Sequence, residues 1–215
     1  MSARRPLPDL GVYPVSDPSA RIGVEAACVA AARGGARLVQ LRDKTASDEE
    51  LTALARRLVA ALTPLGCALL VNDRVGVAKA AGAAGAHVGQ SDAAVAEARA
   101  LLGEDAILGL SVEAPGHLAR DDWARLDYVG AGPVFATATK PDHAEPLGWD
   151  GLARLCALAP VPAVAIGGVK TAHAGRARGA GAAGLAMVSE IFGSADPEAA
   201  TRAAVAAWRD AGGPP

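Results

Sequence analysis

The chain repeats a short apolar run followed by a longer amphipathic stretch, and this pattern occurs eight times along its length. The apolar runs are rich in Val, Leu and Ile, which is typical of strands buried on both faces of a parallel sheet. They predict strands over residues 11–16, 37–41, 68–71, 86–88, 107–110, 128–134, 163–166 and 184–188. Because the amphipathic stretches carry apolar residues at helical spacing, the pattern predicts eight βα units.

Helical spacing is clearest over residues 48–62, where Leu51, Leu58 and Leu62 are among the apolar positions. Ser47 stands directly before three acidic residues, which is typical of an N-cap and a first helical turn. Pro64 marks the end of this helix, since proline cannot continue it. Further helices are predicted over about 20–33, 75–83, 93–102, 114–124, 149–158, 171–179 and 196–210.

Eight βα units with crossovers of this length imply parallel strands and favour a closed (β/α)₈ barrel, the TIM barrel, of the α/β class. An open doubly wound sheet is the alternative arrangement of the same units. Hydrophobic residues make up 51% of the chain and aromatic residues only 3%, so small aliphatic side chains must fill the core. No change of composition divides the chain, and we expect one domain over residues 1–215 with a short flexible tail at about 212–215.

The net charge limits the kinds of binding partner, and the cysteine content indicates the cellular compartment. A formal net charge of -2 gives no general attraction to nucleic acid or to an anionic membrane. No apolar run is long enough to span a bilayer, and none follows Arg4 and Arg5 as a signal peptide would require. Cys28, Cys67 and Cys156 lack metal-type spacing and are interpreted as free thiols of a cytoplasmic protein.

Polar side chains collect after the predicted strands. In a (β/α)₈ barrel the carboxyl ends of the strands share one rim, and this rim carries the active site. The polar residues that follow strands two to eight include Gln40, Arg42, Asp43, Lys44, Asn72, Asp73, Arg74, Gln90, Asp92, Ser111, Thr137, Thr139, Lys140, Ser189 and Glu190. The spacing therefore predicts a small-molecule active site, built from several strands, at this carboxyl rim.

Asp73 and Asp92 follow neighbouring predicted strands at matching depth. Two carboxylates that are held close together repel, and a divalent cation would remove that conflict. Mg²⁺ binds through one or two carboxylates and shares its other positions with water and substrate phosphates, so we expect one Mg²⁺ per subunit. Either aspartate would also serve as the N-cap of the next helix, a role that is compatible with metal binding.

Three cations, Arg42, Lys44 and Lys140, follow predicted strands two and six and suggest that a polyanion such as pyrophosphate is bound from two sides. Arginine offers a planar pair of donors and lysine a compact charge. The alternative for each cation is a salt bridge to a neighbour such as Asp43.

Gly167 and Gly168 follow strand seven and predict a second phosphate site, because glycine lets backbone N–H groups approach a phosphate closely. Val188 and Ser189, after strand eight, would complete that site. A tight βα turn is the alternative interpretation of the two glycines.

His87 lies within strand four and is interpreted as a hydrogen-bonded residue of the barrel. No Ser-His-Asp set or Cys-His pair is recognisable, so catalysis is expected to rest on positioning and charge stabilisation.

The motifs that carry a family resemblance occur in one fixed order along nearly the whole chain. They are Gln40-Leu41-Arg42-Asp43-Lys44, Asn72-Asp73-Arg74, Gly89-Gln90-Ser91-Asp92, Gly109-Leu110-Ser111, Gly132-Pro133-Val134-Phe135, Thr137-Ala138-Thr139-Lys140, Ile166-Gly167-Gly168 and Val188-Ser189. Each motif alone is weak evidence. Together they resemble the thiamine phosphate synthase family.

The resemblance implies a Mg²⁺-dependent transferase that joins hydroxymethylpyrimidine diphosphate to a thiazole phosphate, in its carboxylated form or without the carboxylate. It implies that Asp73 and Asp92 hold the metal. The pyrimidine diphosphate would be contacted by Gln40, Arg42, Lys44, Asn72, Ser111 and Lys140. Leu41 and Asp43, in the same motif, are also predicted to bind substrate. Arg42, Lys44, Ser111 and Lys140 would act in catalysis. The thiazole phosphate would be held by Thr137, Thr139, Gly168, Val188 and Ser189. Gly167 is predicted to join them because it lies in the same glycine loop.

Two departures from the family pattern are visible: Asp43 stands where Glu is more usual, and Ala138 stands where Pro is common. A thiazole tautomerase on the same barrel is the closest rival; it would be expected to lack the two aspartates and to carry a catalytic histidine where this chain has Pro133. A non-catalytic barrel that binds a phosphorylated metabolite is the second rival. Asp73 and Asp92 favour the synthase over both rivals. The sequence is compatible with a homo-oligomer and with a monomer.

Overall fold

Within residues 6–90, 95–137 and 144–212, which the computed structural model describes, eight strands form one parallel sheet. The strands are β1 (Val12–Pro14), β2 (Leu38–Leu41), β3 (Ala68–Asn72), β4 (Gly85–Val88), β5 (Ile107–Val112), β6 (Tyr128–Ala131), β7 (Ala163–Ala165) and β8 (Gly184–Met187). They are hydrogen-bonded in the order β1-β8-β7-β6-β5-β4-β3-β2. At the two ends of this order, Val15 bridges Gln40, and the Ser16 N–H donates to the Gln40 carbonyl over 2.8 Å. The sheet thus closes into a nearly complete barrel, so the predicted (β/α)₈ fold is confirmed and the open sheet is wrong.

Helices cover the outside of the barrel. They are α1 (Val24–Arg33), α2 (Asp48–Leu62), α3 (Val75–Ala81), α4 (Val95–Leu102), α5 (Gly148–Leu158), α6 (Ala174–Gly179), α7 (Ser189–Phe192) and α8 (Pro197–Asp210). The predicted cap of α2 is present: the Ser47 hydroxyl accepts the Glu50 N–H, and the Glu50 carboxylate accepts the Ser47 N–H over 2.9 Å. This reciprocal pair satisfies two backbone donors that a helix start leaves open.

The prediction of a helix over residues 114–124 was wrong. Its residues, all of them described, form two 3₁₀ turns instead, Pro115–Leu118 and Trp123–Arg125. Gly116 lowers the helix propensity of this segment. The Arg120 guanidinium also binds the carboxylate of Asp122, two residues away, with an NH2–Oδ2 distance of 2.8 Å. Side chains two residues apart do not face each other on an α-helix, so this ion pair stabilises a turn.

Side chains alternate between the two faces of the sheet. In β2, for example, Leu38 belongs to the cluster inside the barrel, whereas Val39 and Leu41 pack outwards against the helices. The interior cluster comprises Leu10, Tyr13, Val15, Leu38, Leu70, Ala84, Ile107, Tyr128, Val164 and Ala186. The barrel is therefore filled with side chains, and among the described residues an open cavity lies towards the carboxyl ends of the strands.

Candidate active site

A cavity of about 390 Å³ opens at the carboxyl rim of the barrel. Every one of the eight strands, or the loop that follows it, contributes to its wall. The predicted site residues that line it are Gln40, Arg42, Lys44, Asn72, Asp73, Ser111, Thr137, Gly167, Gly168, Val188 and Ser189. Asp92, Thr139 and Lys140 lie outside the described residues. The barrel therefore gathers most of the predicted site residues into one concave surface.

Two predicted site residues do not line this cavity. Leu41 is fully buried and packs outwards among the helices. The carboxylate of Asp43 instead holds the loop after β2, because it accepts hydrogen bonds from the backbone and hydroxyl of Thr45, each over 2.8 Å, and from the Ala46 N–H. Partial burial would raise the pKa of Asp43, but these hydrogen bonds together hold that pKa below its usual value. A direct contact of either side chain with substrate stays a prediction.

The loop after β2 brings Arg42 and Lys44 to the cavity wall. Ser16, which is fully buried, fixes the start of this loop from the neighbouring strand: its hydroxyl accepts the Arg42 N–H over 2.7 Å and lies 3.2 Å from the Arg42 carbonyl. Ser16 thus replaces ladder hydrogen bonds where β1 and β2 diverge. The result is a guanidinium that is half-buried at the cavity wall, with the exposed Lys44 ammonium two residues further along.

Asp73 lies at the end of β3 in a strained backbone conformation. Among the described non-glycine residues it is the only one with a positive φ, of 60°. Its N–H donates to the His87 carbonyl over 2.8 Å, and its carboxylate accepts the Asn72 amide N–H over 2.6 Å. For most residues other than glycine this conformation costs about 1 kcal/mol or more, whereas Asp and Asn tolerate it better, so an aspartate suits this position. The backbone thereby turns the Asp73 carboxylate into the cavity wall.

The donor set around Asp73 fits a hard divalent cation that is shared with a substrate. The described part of the chain contains no group of three or more His, Cys, Asp or Glu side chains that could hold a metal ion alone. Mg²⁺ requires fewer protein ligands than this, because it keeps several waters and binds through one or two carboxylates plus substrate phosphates. Asp73 supplies one such carboxylate in the cavity, and the second predicted ligand, Asp92, follows the neighbouring strand β4.

Gly167 and Gly168 form a tight loop after β7 with φ values of 89° and 65°. The loop is tied to the segment after β6, since the Val134 N–H donates to the Ile166 carbonyl over 2.8 Å and the Phe135 N–H donates to the Gly167 carbonyl over 3.0 Å. A β-carbon on Gly168 would lie 2.8 Å from the Phe135 β-carbon. Glycine is needed here both for the backbone conformation and for this close approach.

A hydrogen bond connects the loops after β7 and β8 close to these glycines. Helix α7 begins at Ser189, as the predicted phosphate site requires, and its first N–H groups have no partner within the helix. The Glu190 carboxylate accepts the Thr171 N–H over 2.9 Å and so links the two loops. Gly167, Gly168, Val188 and Ser189 thus line the β7–β8 side of the cavity, which β1 separates from the loop that carries Arg42 and Lys44.

The cavity is also lined by residues to which the sequence assigned no binding role: Tyr13, His87, Gln90, Glu113, Lys170 and Glu190. The prediction that His87 is a hydrogen-bonded barrel residue is confirmed, since its ring nitrogens lie 2.8 Å from the Tyr128 hydroxyl and 3.0 Å from the Ser111 hydroxyl. Lys170 follows the two glycines and adds a cation to their side of the cavity. Its position two residues after Gly168, in the loop that follows strand seven, was the only signal in the sequence.

The model of the family described as thiamine monophosphate synthase matches residues 12–191. The chain belongs to this family. It is 48% identical over 201 residues to the thiamine-phosphate synthase of Xanthobacter autotrophicus, covering 93% of this chain and 95% of that protein. It is 50% identical over 172 residues to the thiamine-phosphate synthase of Solidesulfovibrio magneticus, covering 80% and 82% of the two chains.

The solved structure of a thiamine phosphate pyrophosphorylase from Pyrococcus furiosus superposes with a TM-score of 0.85 at 27% identity, covering 94% of this chain and 97% of that one. Family membership therefore makes the chain a biosynthetic transferase on a TIM barrel. These relatives give no support to a thiazole tautomerase or to a non-catalytic binding barrel. None of the helices in the described part of the chain combines the length and the apolar character that crossing a bilayer requires.

Proposed function

We propose that the rim cavity is the site at which this thiamine monophosphate synthase family member joins 4-amino-2-methyl-5-hydroxymethylpyrimidine diphosphate to a thiazole phosphate. The products are thiamine phosphate and pyrophosphate, with CO₂ as well if the thiazole is carboxylated. The observation that carries the proposal is the cavity itself, which places Arg42, Lys44 and Asp73 in one wall and the glycine loop at 167–168 in another. Such a cavity fits two phosphorylated substrates bound side by side.

Arg42 and Lys44 are proposed to hold the diphosphate of the pyrimidine substrate. The planar guanidinium suits two phosphate oxygens at once, and the lysine ammonium suits a single concentrated charge. Asn72 and Gln40 line the same part of the cavity, and Lys140 is proposed to join them from the loop after β6. Mg²⁺, held by Asp73 and Asp92, would neutralise part of the diphosphate charge when bound.

Bond breaking then depends on how well these residues stabilise the leaving group. The C–O bond between the pyrimidine methylene and the diphosphate breaks, and its electron pair leaves with pyrophosphate. The thiazole nitrogen donates its lone pair to the methylene cation that remains, which forms the new C–N bond. Negative charge grows on the departing oxygens, where Arg42, Lys44 and Lys140 would stabilise it without reorganising. No nucleophile from the protein takes part in this scheme.

The thiazole phosphate is proposed to bind on the other side of the cavity. Gly167, Gly168, Val188 and Ser189 offer backbone N–H groups there, and Thr137 and Thr139 would add hydroxyl donors. This placement keeps the thiazole nitrogen facing the methylene carbon, which converts the reaction of two substrates into an event within one complex. The cytoplasmic location and a homo-oligomer stay predictions.

The proposed reaction is tested by incubating the protein with both precursors and Mg²⁺ and measuring thiamine phosphate. We expect product that requires both substrates, is lost on addition of a chelator and returns with excess Mg²⁺. Absence of product in the presence of Mg²⁺ would refute the function. Product formation that persists unchanged in chelator would refute the metal requirement alone. Isomerisation of the thiazole by itself would point to the tautomerase.

Replacing Gly168 by alanine is expected to raise KM for the thiazole phosphate by about tenfold to a hundredfold, because a small misplacement of a binding group is costly. The new β-carbon would press on Phe135 and would adopt a disfavoured φ. Gly175→Ala is the matched control, since Gly175 lies in nearby α6 with open space around it and no positive φ. A KM for the pyrimidine diphosphate that rises as much as that for the thiazole would contradict the assignment.

A further inference from the structure

A continuous line of side-chain hydrogen bonds crosses the barrel interior beneath the cavity. The Gln40 amide nitrogen donates to the Tyr13 hydroxyl over 2.8 Å, and the Tyr13 hydroxyl lies 2.7 Å from the Tyr128 hydroxyl. The Tyr128 hydroxyl lies 2.8 Å from Nδ1 of His87, and Nε2 of His87 lies 3.0 Å from the Ser111 hydroxyl. The five residues come from five strands, and both ends of the line, Gln40 and Ser111, face the cavity.

This line is built into the packed interior. Tyr13, Tyr128, Gln40 and His87 are all buried, with at most 7% of any of them exposed. Burial is the main reason why the pKa of both tyrosine hydroxyls is raised, so each keeps one hydrogen. Space for the Tyr128 ring is provided by Gly109, where a β-carbon would overlap that ring. Buried polar groups of this kind are stable only when each donor meets an acceptor.

The donor at one end determines the direction of the whole line. The Gln40 amide nitrogen can only donate, so the Tyr13 oxygen accepts there and its single hydrogen is left for Tyr128. The Tyr128 hydrogen is then directed to Nδ1 of His87, which must be the unprotonated ring nitrogen. An imidazole that carries one ring hydrogen therefore carries it on Nε2 and donates it to Ser111.

We propose that Tyr13, Tyr128 and His87 are positioning residues, which hold His87 as the Nε2–H tautomer and thereby present the Ser111 hydroxyl as a hydrogen-bond donor to substrate. With one lone pair of its oxygen engaged by the His87 N–H, Ser111 keeps its own hydrogen available to the cavity. The substrate atom that matches this hydrogen is an acceptor, such as a pyrimidine ring nitrogen or a phosphate oxygen. The contact with substrate rests on the proposed function, whereas the tautomer of His87 does not.

The tautomer is tested directly by NMR of the full-length protein labelled with ¹⁵N histidine. The chain has four histidines, and the signals missing from His87→Gln identify those of His87. We expect a protonated Nε2 and an unprotonated Nδ1. A protonated Nδ1 would overturn the proposal, because it requires Gln40 to turn its carbonyl towards Tyr13 and Ser111 to donate to His87. This measurement needs no substrate, so it stands even if the synthase assay fails.

Two substitutions at His87 separate positioning from packing. In His87→Gln the side-chain amide reaches the position of Nε2 and keeps a donor towards Ser111, whereas the shorter side chain of His87→Asn keeps only the contact with Tyr128. We expect His87→Asn to lose about tenfold or more kcat relative to His87→Gln, with smaller changes in KM. Equal losses of kcat in the two variants, at matched thermal unfolding midpoints, would refute a role through Ser111.

A double-mutant cycle provides the second readout. If His87 acts through Ser111, then adding His87→Asn to Ser111→Ala should change kcat by less than about twofold, because the group it positions is already gone. Independent losses that multiply in the double variant would overturn the proposal. Tyr128→Phe removes the hydrogen that directs the line towards His87, and we expect its ¹⁵N spectrum to show a mixture of the two His87 tautomers.

Discussion

Replacing Asp73 by asparagine is expected to lower kcat by about two orders of magnitude or more, by analogy with the removal of one transition-state donor. Asparagine has nearly the same shape as aspartate and tolerates the left-handed backbone, where φ is 60° at this residue. Its neutral amide is a much weaker ligand for a hard cation than a carboxylate is. The change therefore removes the proposed metal ligand and little else.

Two further substitutions separate the carboxylate from the strained backbone at Asp73. Asp73→Gly also lacks the carboxylate but adopts a positive φ freely, whereas Asp73→Ala adds a backbone cost of about 1 kcal/mol or more. We expect all three variants to have low kcat. Stability should follow a different order, with the asparagine and glycine variants more stable than the alanine variant.

Activity is measured as thiamine phosphate formation over a range of Mg²⁺ concentrations, and stability by urea unfolding. Asp73→Asn should need at least about tenfold more Mg²⁺ for half-maximal rate, as is typical when metal coordination is weakened. Full activity of Asp73→Asn at limiting Mg²⁺ would contradict the metal assignment. Loss of activity in Asp73→Ala alone would instead show that the carboxylate is unimportant and that the backbone conformation matters.

The sequence was sufficient to predict the barrel because strands and helices repeat with different periods. In β2, the alternation of Leu38 and Gln40 with Val39 and Leu41 follows from the two-residue repeat of a strand. The prediction for the segment after β5 was wrong because the apolar residues over 114–124 have the spacing of a helix although no α-helix forms there. There a local pairing, between Arg120 and Asp122, outweighs that periodicity.

The position of the candidate site could be predicted because every strand end in a (β/α)₈ barrel faces the same rim. What a side chain does within a loop could not be predicted in this way. Asp43 looks like a cavity residue in the sequence, yet its carboxylate turns back to Thr45 and Ala46. The hydrogen-bond line from Gln40 to Ser111 joins residues 71 positions apart through three other strands, so no local pattern records it.

Replacing Arg99 by methionine is expected to lower the free energy of unfolding by about 3–5 kcal/mol, the range found when one partner of a buried ion pair is removed. Only 2% of Arg99 is exposed, and its guanidinium binds the Asp127 carboxylate over 2.8 Å. It also donates to the carbonyl groups of Gly103, Ala106 and Arg125. One side chain on α4 thus holds together the starts of β5 and β6.

The cost arises from what the substitution leaves behind rather than from lost packing, because methionine has a similar length. The Asp127 carboxylate would keep the Leu108 N–H, at 2.7 Å, but would lose its buried counter-charge. The carbonyl groups of Gly103, Glu104, Ala106 and Arg125 would lose the guanidinium as a donor. Unsatisfied buried groups cost about 1–3 kcal/mol each unless water reaches them. The loss should therefore appear in equilibrium unfolding as a lower urea midpoint with an unchanged slope.

Arg202→Met is the matched control for Arg99→Met. The Arg202 side chain is 63% exposed and pairs with Glu198 one helical turn away, so its loss should cost no more than about 0.5 kcal/mol. Near-equal effects of the two substitutions would mean that Arg99 contributes no more than a surface ion pair. Because Arg99 does not line the cavity, the Arg99→Met variant that remains folded should keep the KM values of the parent protein.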